Sequence, residues 1–233
     1  MITIKVAGLA IGIDNRFEYI TRLAADYLTD EPPLFTVRAT DDDIAEEAKM
    51  TDVKFPDGYL ESIVAYRKIA EILPSYDAFV FHGAVLNYDG RAVAFTAKSG
   101  VGKTTHTRLW RQVFGDRAVM VNDDKPFLRI TENGVTACGS PWNGKHGLGA
   151  NLEVPLQAVC ILERGEENII RPIPAKEAVF MLLQQSNRPQ DPRWMPKYLE
   201  LLDKLSQQVT FYRLACNMSP EAALVAYEAM GRK

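Results

Sequence analysis

The sequence predicts an α/β fold with a mixed, partly antiparallel sheet, and three observations lead there. Short apolar runs of strand length alternate with segments of helical periodicity along the 233 residues. Asp89-Gly90 lies between two apolar stretches and is a strong hairpin signal, so a strand pairs antiparallel with the run 91–96. That run then passes through a Gly-rich loop into a helix-like segment at 105–114. A hairpin feeding a strand–loop–helix unit departs from a purely parallel entry and requires a mixed sheet.

Composition bounds the rest. Hydrophobic residues make up 47% and charged residues 24%, ordinary values for a globular chain. A net charge of -3 offers no electrostatic basis for a nucleic-acid or membrane-surface partner. Residues 1–13 are too few to span a bilayer, and they lack the basic start and small-residue cleavage site of a signal peptide. Cys138, Cys160 and Cys216 are odd in number, widely separated and without metal spacing. Free thiols in a reducing cytoplasm are the expectation.

In chain order, a strand is expected at 2–11 and a helix at 16–28, capped by Asp14 or Asn15. Pro32-Pro33 break the chain before a short strand at 34–39. Thr40 caps a helix at 41–49, where Asp41, Asp42 and Asp43 complement the dipole as a solvated helix start. An amphipathic helix spans 58–73. These pieces form a small α/β layer, residues 1–77, packed on a core of residues 78–233. The core has apolar runs at 78–81 and 93–95, a strand at 118–122, a hairpin around 132–134, and strands at 156–162, 168–173 and 209–215. Helices follow at 175–185, 195–207 and 220–230, the last with Ser219 as cap and Pro220 at its first position.

The loop of the strand–loop–helix unit reads Ala97-Lys98-Ser99-Gly100-Val101-Gly102-Lys103-Thr104, the pattern [AG]-x-x-x-x-G-K-T of a phosphate-binding loop. Gly100 and Gly102 let backbone N–H groups turn inward around phosphate oxygens, with Ser99, Val101 and Thr105 completing the cradle. Lys103 reaches the β- and γ-phosphates, and the Thr104 hydroxyl sits on Mg²⁺. A chance Gly-rich turn before a lysine is the structural alternative.

Twenty residues after Lys103, an apolar strand ends in Asn122-Asp123-Asp124-Lys125. One carboxylate can help hold Mg²⁺, and the other can orient or deprotonate an attacking hydroxyl. Two solvated loop residues are the competing account. His82 belongs on the same rim, where it could ligate metal, bond a phosphate or shuttle a proton. Residues 139–149 suit a mobile lid or, with Trp142 packed, a rigid turn. His106 is expected on the helix surface, and residues 184–188 as a polar wall beside an acceptor.

His82-Gly83, the hairpin, the loop 99–104 and Asp123-Asp124 together resemble HPr kinase/phosphorylase. They are also similar to the nucleotide-binding core of phosphoenolpyruvate carboxykinases, over roughly residues 78–165. The resemblance implies Lys103 on the β/γ-phosphates, Asp123 as base, Thr104 and Asp124 on the metal, and His82 near the transferred group. It further implies ATP and Mg²⁺ as ligands, and a homo-oligomer. The first eighty residues lack the resemblance, and the chain is far shorter than a carboxykinase. The leading expectation is an ATP- and Mg²⁺-dependent kinase acting on a hydroxyl of a small molecule, peptide or protein. The alternatives are a nucleotide-binding regulator without transfer and a shikimate-kinase-like enzyme.

Overall fold

The computed structural model describes residues 1–231; the last two residues of the expected 78–233 segment lie outside the described residues. Its larger sheet gathers nine strands, and its smaller sheet three.

The smaller sheet is β1 (Ile2–Val6), β2 (Leu9–Ile13) and β3 (Phe35–Val37), with β1–β2 antiparallel and β2–β3 parallel. The expected single strand at 2–11 is therefore two. Ala7 (φ 54°) and Gly8 (φ 66°) make a tight turn between them, and both are in the left-handed region. Two partners from the larger sheet hold that turn: Arg129 donates to the Ala7 carbonyl at 2.7 Å, and the Gly8 N–H donates to Glu153 at 2.6 Å. Alternating apolar residues cannot reveal a reversal whose partners lie over a hundred residues away.

The helix expected at 16–28 is shorter. It is α1 (Glu18–Leu23), followed by one 3₁₀ turn at Ala25–Tyr27. Neither Asp14 nor Asn15 caps it. The buried Glu61 carboxylate instead accepts from the N–H groups of Arg16 (2.7 Å) and Phe17 (3.1 Å). Glu61 lies on α3 (Asp57–Ile72), which packs against α1 and α2 (Asp41–Ala48). Thr40 caps α2 as expected, and Asp43 returns the bond to complete a reciprocal capping box.

The larger sheet begins with β4 (Ala78–Val80), β5 (Ala84–Tyr88) and β6 (Arg91–Thr96). Asp89 (φ 49°) and Gly90 (φ 84°) make the hairpin turn. The antiparallel partner of β6 is β5, not the run 78–81, which pairs with β8 (Phe127–Thr131). The other members are β7 (Ala118–Asn122), β9 (Gly134–Cys138), β10 (Glu153–Arg164), β11 (Ile169–Ile173) and β12 (Thr210–Cys216). Strand β10 is the hinge of the curl. Its first residues pair with β9; past Pro155 it runs parallel to β6 on one edge and to β12 on the other.

Helices cover both faces. Along β6, Val93 and Phe95 face α4 (Lys103–Phe114) and α7 (Glu221–Met230), while Ala92 and Ala94 face α5 (Ala175–Gln184) and α6 (Met195–Gln208). This period-2 division is why the strand is apolar throughout. The backbone of Pro220 caps α7 without help from the Ser219 side chain. A third cluster joins Ile4, Ile11, Ile13 and Ile69 of the first 77 residues to Val80, Phe127 and Trp142.

Candidate functional site

Strands β6 and β7 each run antiparallel to β5 between them, so both end on one rim of the sheet. Parallel β10 and β12 end there too. Ligands of α/β sheets gather at the carboxyl ends of parallel strands. Here that rim collects Lys103, Asp123, Asp124 and His82.

The loop from Ala97 to Gly102 leaves β6 and enters α4. Gly100 (φ 77°) and Gly102 (φ 129°) hold positive φ, and no atom lies within 4 Å of where a Gly100 Cβ would stand. Gly102 begins α4 with no side-chain cap, and the first intrahelical bond runs from the His106 N–H to the Gly102 carbonyl at 2.9 Å. The N–H groups of Lys103, Thr104 and Thr105 therefore have no partner within the helix. Ser99 and Thr104 are exposed, and Val101 and Thr105 partly so. Lys103 is half-buried, and its ammonium donates to the Ala97 carbonyl at 3.4 Å. Burial lowers its pKa, helped by the charge of Lys125 and opposed by that of Asp124.

At the end of β7, Asn122 is fully buried. Its Nδ2 donates to the carbonyl of Ser140 at 3.2 Å, and its Oδ1 accepts from the N–H groups of Asp124 (2.8 Å) and Lys125 (2.6 Å). This turn sets the two carboxylates apart. Asp123 accepts from the Gly144 N–H at 2.6 Å. Burial pushes its pKa up, against the lowering by hydrogen bonds from Gly144 and Leu148. Asp124 lies 3.2 Å from His82 Nε2 and 3.5 Å from Lys125 Nζ. Burial pushes its pKa up too, but the His82 hydrogen bond and the positive charges of Lys125 and Lys103 outweigh it, so the net shift is downward.

His82 is itself held from two sides. Its N–H donates to the Gln185 carbonyl at 2.5 Å, and its carbonyl accepts from Thr96 Oγ1 at 3.1 Å. Residue 185 belongs to the stretch 184–188 read as a polar wall, and Asn187 of that stretch lines a cavity beside Asp124. In residues 139–149 the packed Trp142 of the rigid-turn expectation is present. Trp142 is buried, with its indole N–H on the Ser62 carbonyl at 3.1 Å, while Lys145, His146 and Gly147 form an exposed tip.

His106 is not on the helix surface. It is 2% exposed, accepts from the Trp110 indole at 3.1 Å and meets Phe95 edge-on. Desolvation lowers its pKa to about 4. The i, i+4 spacing to Trp110 was the available signal. Asn122 is the residue whose role sequence reasoning missed; an Asn ending an apolar strand just before two carboxylates was its only trace.

Among the described residues no group of three or more His, Cys, Asp or Glu side chains is arranged to hold a metal ion. A Mg²⁺ beside Asp124 and Thr104 would therefore take the rest of its shell from phosphate oxygens and water, as that ion does in phosphoryl-transfer sites. No helix among the described residues is long and apolar enough to cross a membrane.

A family model described as SynChlorMet cassette protein ScmC matches residues 59–228. Among solved structures, the HPr(Ser) kinase/phosphatase from Coxiella burnetii is similar at 13% identity and a TM-score of 0.39, covering 64% of this chain and 95% of that one. No curated protein matches the chain.

Proposed function

We propose that this chain, which belongs to the SynChlorMet cassette protein ScmC family, is a phosphotransferase that moves the γ-phosphoryl group of ATP to a hydroxyl acceptor. The carrying observation is the split between the adjacent carboxylates on the rim beside Lys103. Asp123 is pushed towards its neutral form and Asp124 towards its ionised form. A pair whose environments drive their pKa values apart divides into a proton acceptor and a fixed charge.

The uncapped start of α4 and the loop before it offer N–H groups to phosphate oxygens, and Lys103 adds its charge at the β- and γ-phosphates. Bound Mg²⁺, held by Asp124 and Thr104, would neutralise phosphate charge. Asp123 takes the acceptor's proton as the acceptor oxygen bonds to γ-phosphorus. The bond from that phosphorus to the β–γ bridging oxygen breaks, and ADP leaves with the electron pair. His82 holds Asp124 and stands near the transferred group. The first 77 residues, on this reading, form a layer serving the core.

Transfer from γ-labelled ATP, measured alongside calorimetric MgATP binding, tests the reading. Lys103→Ala is expected to weaken binding by about 2–5 kcal/mol. Asp123→Asn is expected to keep binding and lose transfer by about 10²-fold or more. Unchanged affinity in the first variant, or near-normal transfer in the second, overturns it. One observation favours a nucleotide-dependent regulator instead: Gly144 occupies the Asp123 carboxylate. MgATP binding with no transfer to any acceptor fraction of a cell extract would select that reading.

A further inference from the structure

A cavity of about 430 Å³ opens beside Asp124 and Lys125, and most of its wall comes from the first 77 residues. Asp124 and Lys125 stand at its wall. Tyr66 lies within the field of that carboxylate and bonds Asn187 through its hydroxyl at 3.4 Å. Five aromatic residues line the cavity. Phe55 and Tyr59 stack with centroids 4.7 Å apart, Tyr19 meets Tyr59 edge-on at 5.8 Å, and Tyr66 tilts against Trp142 at 5.5 Å. Aromatic residues are 9% of the chain but five of the sixteen that line this cavity, an enrichment that points to ring recognition. The charged groups cancel. Glu47 pairs with Arg67 at 2.7 Å and Asp124 faces Lys125, so the wall offers no surplus charge to an ionic ligand.

We propose that this cavity is the acceptor pocket, and that it takes a molecule whose hydroxyl is carried on an aromatic body. The ring lies among Tyr19, Phe55 and Tyr59, and the hydroxyl passes Asp124 towards Asp123, the proposed base. Asn143 lines the same cavity, and the next residue, Gly144, bonds Asp123, so the pocket ends one residue from the proposed base. The first 77 residues then select the acceptor while the rim supplies the chemistry. The identity of the pocket as an acceptor site rests on the phosphotransferase reading; the preference for rings does not.

Ligand-observed NMR on the full chain without nucleotide tests this. The probes are N-acetyl-tyrosine amide, N-acetyl-phenylalanine amide and N-acetyl-serine amide. Both ring probes are expected to bind more tightly than the serine probe. Phe55→Ala and Tyr59→Ala should each weaken the ring probes about threefold to tenfold. Phe55 is 39% exposed, so its truncation leaves the fold intact, with thermal unfolding as the check. Equal binding of all three probes, no binding of the ring probes, or unchanged affinity in both folded variants overturns the pocket. MgATP binding measured in parallel separates the two proposals. Ring binding without MgATP binding sinks the phosphotransferase and keeps the ring site; MgATP binding without ring binding sinks the pocket alone.

Discussion

Asp123 and Asp124 are neighbours in sequence, yet burial wins at the first and nearby positive groups win at the second. This makes opposite stability predictions. The folded pKa of Asp123 is raised, so its ionisation costs stability as the pH rises through the ordinary carboxylate value of about 4 and on to the folded one. Asp123→Asn should therefore raise the unfolding midpoint at pH 7. The folded pKa of Asp124 is lowered, so its contribution is present above about pH 4 and is lost as the pH falls through the folded value. Asp124→Asn should lower the same midpoint; thermal melts of both variants across pH check the pair. His106 adds a third titration. Its folded pKa is about 4, so the unfolded chain takes the proton first, and stability falls as the pH drops from about 6.5 towards 4. His106→Gln keeps an acceptor for Trp110 and removes the proton, and the acid slope of stability in that window should flatten.

At the scale of the element, the turn after β7 is held by one side chain. Asn122 reaches the backbone of four other residues, Ser140, Trp142, Asp124 and Lys125, from a fully buried position. Asn122→Ala leaves those groups unmatched and is expected to cost about 1–3 kcal/mol in chemical denaturation. The MgATP affinity should fall less than transfer, because Asp123 and Asp124 lose their common support. The elements differ in how far they were legible. The Thr40 cap and the Asp89-Gly90 turn depend on residues within three positions and are legible in the sequence. The start of α1 is not, because its support is Glu61, over forty residues away. The turn at Ala7-Gly8 was missed likewise: its support comes from Arg129 and Glu153.

Across the whole molecule, one core cluster joins Ile4, Ile11 and Ile69 to Val80, Phe127 and Trp142. Removing residues 1–77 would bare those side chains, and each large apolar group returned to water costs roughly 1.5–3 kcal/mol. A chain starting at residue 78 is expected to aggregate or unfold, whereas the full chain should melt in one cooperative transition by calorimetry. Two resolved transitions, or a folded truncated core, would show that the layers are independent.

Local pattern alone determined the mixed α/β class, the strand–loop–helix unit around Lys103, and the adjacency of Asp123 and Asp124. Each rests on residues close in sequence, where spacing, glycine placement and turn chemistry act directly. The tertiary structure decided which strand partners β6, that His106 is core, that Asn122 sets the carboxylates apart, and which of the two is driven towards its neutral form. It also decided that an aromatic wall from the first 77 residues stands beside Asp124. Those outcomes depend on burial and on charges brought together by folding, and no local pattern encodes either.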